Sequence, residues 1–152
     1  MDIFNEDFAD FIRCLNKYHV EYMLVGGYAV ILRGYSRSTG DMDIWVNKTE
    51  LNFTQLQKAI AEFGLPLAAI PKEKFFSTDY DVFSFGRPPY AIEIMTTLKG
   101  VDFIEAFEKA TIQKVDDVEV RVIHLNQLIQ AKKAAGRYKD LNDIENLESE
   151  GD

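Results

Sequence analysis

The chain has 152 residues, enough for one domain with its own core, and 47% apolar with 28% charged residues excludes a disordered or fibrous class. A formal net charge of −8 excludes broad attachment to a DNA backbone, since non-specific affinity comes from phosphates neutralised by Lys and Arg. A lone cysteine, Cys14, with only His19 and His124 excludes a disulfide framework or a Cys/His zinc cluster. No stretch approaches the ~20 apolar residues of a membrane span, and the acidic start lacks the basic opening of a signal peptide, so a cytoplasmic protein is expected.

Phe8, Phe11, Ile12, Leu15 and Tyr18 recur at helical spacing over residues 6–19, behind the acids Glu6, Asp7 and Asp10. Tyr22 to Val25 is a buried strand ended by Gly26-Gly27, and a helix follows over 28–32. After the polar turn 36–40, a strand over 42–46 places Met42, Ile44 and Val46 on one face and Asp43 and Trp45, with the preceding Asp41, on the other. Thr49 caps a helix that runs to about Phe63 and stops at Gly64 and Pro66, and 65–78 reads as a loop. Strands are expected over 81–85 and 90–95, a short helix over 103–110, and a hairpin of 111–115 and 118–123 around Asp116-Asp117. Helices over 125–135 and 140–147, split at Gly136, close a single domain spanning 1–152 whose residues 146–152 form a frayed tail.

Two acids at i and i+2 of a strand point the same way, roughly 6–7 Å apart, so Asp41 and Asp43 can share cations. Phosphoryl and nucleotidyl transfer use such hard oxygen ligands to hold two ions about 3.5–4 Å apart, with a third carboxylate as a usual addition. Glu93, interrupting the apolar run Tyr90 to Met95, is the best third acid, with Asp79 and Asp81 as competitors. From the residues alone, all three acids equally describe the wet face of a sheet. Gly26-Gly27 opens backbone amides toward a phosphate group, though an ordinary tight turn has the same composition. Positions 28–40, thirteen residues, suffice for a short helix and a return strand, which would bring the glycines beside the acids. Arg33, Arg37 and the cluster Lys132, Lys133, Arg137 and Lys139 could serve one small polyanion; Lys132, on an apolar helix side, either snorkels to water or reaches a cleft.

The stretch LVGGYAVILRGYSRSTGDMDIWV, residues 24–46, resembles the polymerase-β-like nucleotidyltransferase superfamily, whose signature is strand, Gly-Gly or Gly-Ser, helix, acid-x-acid strand. AIEIMTTLKGVDFIEAF is similar to its third-acid segment, and LIQAKKAAGRYKDLNDIENL to the closing helices of small prokaryotic members, in particular the group related to AbiEii-type toxins. The resemblance implies an α/β (α+β) fold with a mixed, mostly antiparallel sheet flanked by helices, two Mg2+ ions and a nucleoside triphosphate donor. It implies phosphate binding by Gly26 and Gly27, with Arg37, Ser38 and Lys132 as further triphosphate contacts. Asp41 and Asp43 would hold metal, and Glu93 would be third ligand and general base. The acceptor is left open between tRNA, a protein and a small molecule. A homodimer or antitoxin-like partner, and a non-catalytic nucleotide-binding regulator on the same fold, are the alternatives.

Overall fold

The computed structural model describes residues 4–35, 39–87 and 90–150. Helix α1 (Glu6–Lys17) begins where the Asn5 side chain accepts a hydrogen bond from the Phe8 N–H, and Glu6 and Asp7 complement the dipole in its first turn. It buries the stripe Phe8, Phe11, Ile12 and Leu15 that the spacing predicts. Strand β1 (Tyr22–Val25) is followed at once by α2 (Gly26–Leu32), so the helix starts on the glycines themselves, two residues before the expected start. Strand β2 (Met42–Val46) and helix α3 (Glu50–Phe63, capped by Thr49 and ended by a left-handed Gly64) lie where expected. The expected loop 65–78 carries a 3-10 turn at Leu67–Ala69 and the one-turn helix α4 (Lys72–Phe75), organised around fully buried Phe75.

Strands β3 (Val82–Phe85) and β4 (Ile92–Met95), helix α5 (Phe103–Lys109) and the hairpin β5 (Thr111–Val115) and β6 (Val118–Val122) follow. Asp116 and Asp117 both take positive φ, 51° and 67°, as the tight hairpin turn requires. Helices α6 (Leu125–Ala135) and α7 (Tyr138–Glu150) close the chain. The frayed tail expected from residue 146 gives way to helix as far as Glu150, because Leu147 is fully buried and Lys133 pairs with Glu148 at 3.7 Å; residues 151–152 lie outside the described residues.

The six strands form one mixed sheet in the order β3-β4-β2-β1-β6-β5, antiparallel in three of its pairs (β3–β4, β1–β2, β5–β6) and parallel at β2–β4 and β1–β6. Register assigns the faces, since paired residues share a side. Leu24 pairs with Ile44 and Ile44 with Ile94, and this apolar face is buried. Tyr22, on the same face, hydrogen-bonds Asn16 of α1. The opposite face carries Val25, Asp43 and Glu93 in one row and Trp45 and Met95 in the next. Arg33, named with Arg37 as able to serve a small polyanion, instead ties α2 to the far strands. Its guanidinium donates to the carbonyls of Ile123 and Val122 and to Thr111 Oγ1 at 2.9–3.1 Å.

Candidate active site

The row Val25, Asp43, Glu93 lies at the floor of a cavity of about 460 Å³, large enough for a small-molecule ligand. Gly26, Gly27, Thr39, Gly40 and Asp41 also line it, and α6 forms its opposite wall with Leu128, Ala131, Lys132 and Ala135, the i, i+3, i+4, i+7 stripe of a single helix face. Arg137, Lys139 and Asp140 complete the rim. Asp41, Asp43, Glu93, Gly26, Gly27 and Lys132, distributed over 107 positions of sequence from 26 to 132, therefore meet in one place. Arg37 and Ser38 lie outside the described residues. Asp79 and Asp81 do not line the cavity, and Asp81 accepts a hydrogen bond from Thr97, just past the end of β4.

Gly26 sits at φ +66°, and a Cβ built there would meet Asp43 Oδ2 at 2.0 Å. The absent side chain is what lets the Asp43 carboxyl lie against the turn. Gly26→Ala combines a left-handed conformation costing about 1–2 kcal/mol with overpacking of about 1–3 kcal/mol. We expect a stability loss of about 2–5 kcal/mol in urea denaturation; a variant as stable as the parent would mean that the turn relaxes freely.

Burial first, then the charge of Glu93 and a hydrogen bond between the two carboxyls, push the Asp43 pKa up to about 7, with Asp41 adding to the rise and Lys132 opposing it. The Asp41 Oδ1 accepts the Ala91 N–H at 3.1 Å, which ties the first acid of the pair to the backbone entering β4. Among the described residues no group of three or more His, Cys, Asp and Glu side chains stands ready to hold a metal ion. Asp43 and Glu93 touch while Asp41 is drawn aside. The donor set is all hard oxygen, which suits Mg2+ rather than a soft or imidazole-seeking metal.

Lys132 is buried, its Nζ lying 3.2 Å from Asp140 Oδ1 and 3.1 Å from Asp143 Oδ2, both acids almost wholly enclosed. Burial alone would raise the Asp140 pKa, but hydrogen bonds from Arg137 and Lys132 outweigh it and hold the carboxyl below its ordinary value. Arg137 grips the same carboxylate at 2.6 Å through Nε and at 3.2 Å through its backbone N–H. Three of the four cations clustered in the sequence, Lys132, Lys133 and Arg137, are thus paired with acids of α7. Asp140 and Asp143 escaped the sequence reading because they look like ordinary acids of a polar helix; the only signal was their spacing, three residues after Arg137 and eleven after Lys132.

No family model and no curated protein matches the chain in sequence. Among solved structures it is similar to a candidate nucleotidyltransferase from Thermotoga maritima, with 16% identity over 94% of this chain and 91% of that one and a TM-score of 0.62. It is equally similar to the lincosamide antibiotic adenylyltransferase LnuA with lincomycin bound, at 15% identity over 98% and 99% of the two chains, TM-score 0.62. An antigenic nucleotidyltransferase-like protein from Paracoccidioides brasiliensis matches at 14% identity over 91% and 72%, TM-score 0.53. At such identities the likeness speaks to architecture, and on that ground the chain has the nucleotidyltransferase fold.

Proposed function

We propose that the protein transfers a nucleoside monophosphate from a nucleoside triphosphate to a hydroxyl or phosphate acceptor. The observation that carries this reading is the half-buried Asp43–Glu93 carboxyl pair, with Asp43 pressed against the side-chain-free Gly26 turn, inside a cavity edged by cations. Such a site would bring phosphate, acid and base within reach of one another. The Gly26-Gly27 turn and the rim cations Lys139 and Arg137 would hold the triphosphate. Asp41, Asp43 and Glu93 would hold Mg2+, which when bound supplies charge neutralisation of the triphosphate and of the leaving pyrophosphate. The acceptor oxygen forms a bond to the α-phosphorus, the α–β bridging bond breaks, and pyrophosphate leaves with the electron pair. Glu93, which neighbours Asp43 on the sheet, would take the acceptor's proton.

The likeness of residues 24–46 and of the closing helices to AbiEii-type proteins is a reading of sequence that makes a toxin–antitoxin context a hypothesis. A nucleotide-binding regulator without turnover is the second reading, favoured by Lys132 being already engaged by Asp140 and Asp143. No helix among the described residues is long and apolar enough to cross a membrane, in keeping with the cytoplasmic location we propose.

Calorimetric titration of ATP, GTP, CTP and UTP with and without Mg2+, on the parent and on Asp41→Asn/Asp43→Asn, tests the proposal. Heat of binding is expected only with Mg2+ and intact acids. Equal heats, or none in either protein, would overturn the nucleotide reading, and binding without pyrophosphate release across RNA, protein and small-molecule acceptors would favour the regulator.

A further inference from the structure

We infer, on the basis of the transferase reading, that the acceptor is a small amphipathic molecule, neutral or cationic, and that its apolar body rests on a shelf made by Met95, Leu98 and Leu128. Strand order divides the cavity into two ends. Gly26 follows β1, Met95 ends β4, and β2 with Asp43 lies between them, so the carboxyls separate the glycine turn from Met95. Along β4 the surface changes from acid to apolar in a single side-chain step, Glu93 to Met95, roughly 6–7 Å. Leu98 and Leu128 continue this apolar lining, and Val82, paired with Met95 on the same face and 45% exposed, extends it toward the sheet edge.

Charge decides what can lie there. Asp41, Asp43, Glu93 and Asp140 line the cavity against Lys132, Arg137 and Lys139, and two of those three cations are already held by Asp140. Once a triphosphate occupies the rim, little positive charge is left among the described lining residues for a second polyanion, and the chain as a whole carries −8. A cavity of about 460 Å³ with one apolar end and convergent polar groups at the other matches the usual pattern of a small-molecule site. A hydroxyl on an amphipathic acceptor would reach Asp43 and Glu93 while its body covers Met95. Its oxygen bonds to the α-phosphorus, its proton passes to the carboxyl pair, and pyrophosphate takes the electrons of the broken bridge.

Methyl-labelled methionine NMR reads the shelf directly, because Met95 lines the cavity whereas Met23 and Met42 are fully buried; its peak is assigned by its disappearance in Met95→Leu. Mg2+ with α,β-methylene-ATP is expected to shift the Gly26 and Gly27 amides and leave the Met95 methyl in place. Lincomycin or octyl β-glucoside, added to that complex, is then expected to move the methyl saturably. Movement with the nucleotide analogue alone would mean that the base occupies the shelf and would overturn the inference. So would a methyl that responds to a single-stranded decaribonucleotide, or one that is silent to both amphipathic probes. If the Gly26 and Gly27 amides ignore the analogue, it is the nucleotide reading that fails, while the amphipathic probes still report on the shelf.

Discussion

Asp43→Asn is expected to lose nucleotidyl transfer by about 10²–10³-fold or more, the scale of removing one group that stabilises transition-state charge, while making the metal-free fold more stable at neutral pH. The second half follows from linkage. The Asp43 pKa stands at about 7 in the fold against 3.8 for an ordinary aspartate, because burial and Glu93 disfavour its charge. Below pH 3.8 both states hold the proton and nothing is lost. As pH rises toward 7 the unfolded chain ionises while the fold keeps its proton, so stability falls by ~1.4 kcal/mol per pH unit from this group. Above 7 the full penalty, up to ~4 kcal/mol, is in place. Asparagine carries no such slope. Urea denaturation in chelator at pH 5 and pH 8 should show the advantage of the variant over the parent growing by about 2–3 kcal/mol. An advantage that stays constant, or a variant weaker at pH 8, would mean that the two carboxyls do not repel in solution. The same repulsion makes the pair a hard-oxygen site that gains from a divalent cation, so loss of activity and gain of stability have one cause.

Much of this site was legible because local chemistry and long-range geometry agree. Tyr22-Met23-Leu24-Val25 can only be a buried strand, the glycines end it, and the alternation Met42 to Val46 sends the acids to one face. Glu93 was identifiable as an acid in an apolar run, and parallel register with Asp43 then put it beside its partner. What composition could not reveal was the environment. Whether Asp43 is charged depends on how tightly Glu93 and the Gly26 turn close on it, which is a property of three strands packed together. Arg33 was misjudged for the same reason, since its partners are backbone carbonyls nearly ninety positions away. The tail was misjudged because polarity outweighed one apolar residue, Leu147, whose burial carries the helix to Glu150.

Lys132→Met should destabilise the protein by about 3–5 kcal/mol, the usual consequence of removing one partner from a buried ion pair. Burying a cation between two acids contributes little net stability, because each charge has given up its water; removing the cation alone leaves that cost uncompensated. The loss falls on two enclosed acids at once, since Asp140 and Asp143 each forfeit an ion pair to Lys132 while 0% and 1% exposed. Methionine preserves the apolar stem on the helix face that carries Leu128 and Ala131, which isolates charge from packing. Adding Asp143→Asn to the variant should therefore recover part of the loss, and chemical denaturation of the three proteins measures it as a coupling between the two positions. A snorkelling lysine, or one kept only to meet a phosphate, predicts a variant as stable as the parent and no recovery. Lys132 also pulls the Asp43 pKa downward, so its removal should strengthen the proton's hold on Asp43 and weaken Mg2+-dependent nucleotide binding. Lost stability with unchanged nucleotide binding would confine Lys132 to holding α7 in place; losses in both would make the Lys132–Asp143 pair a link between the closing helices and the carboxyls on the sheet.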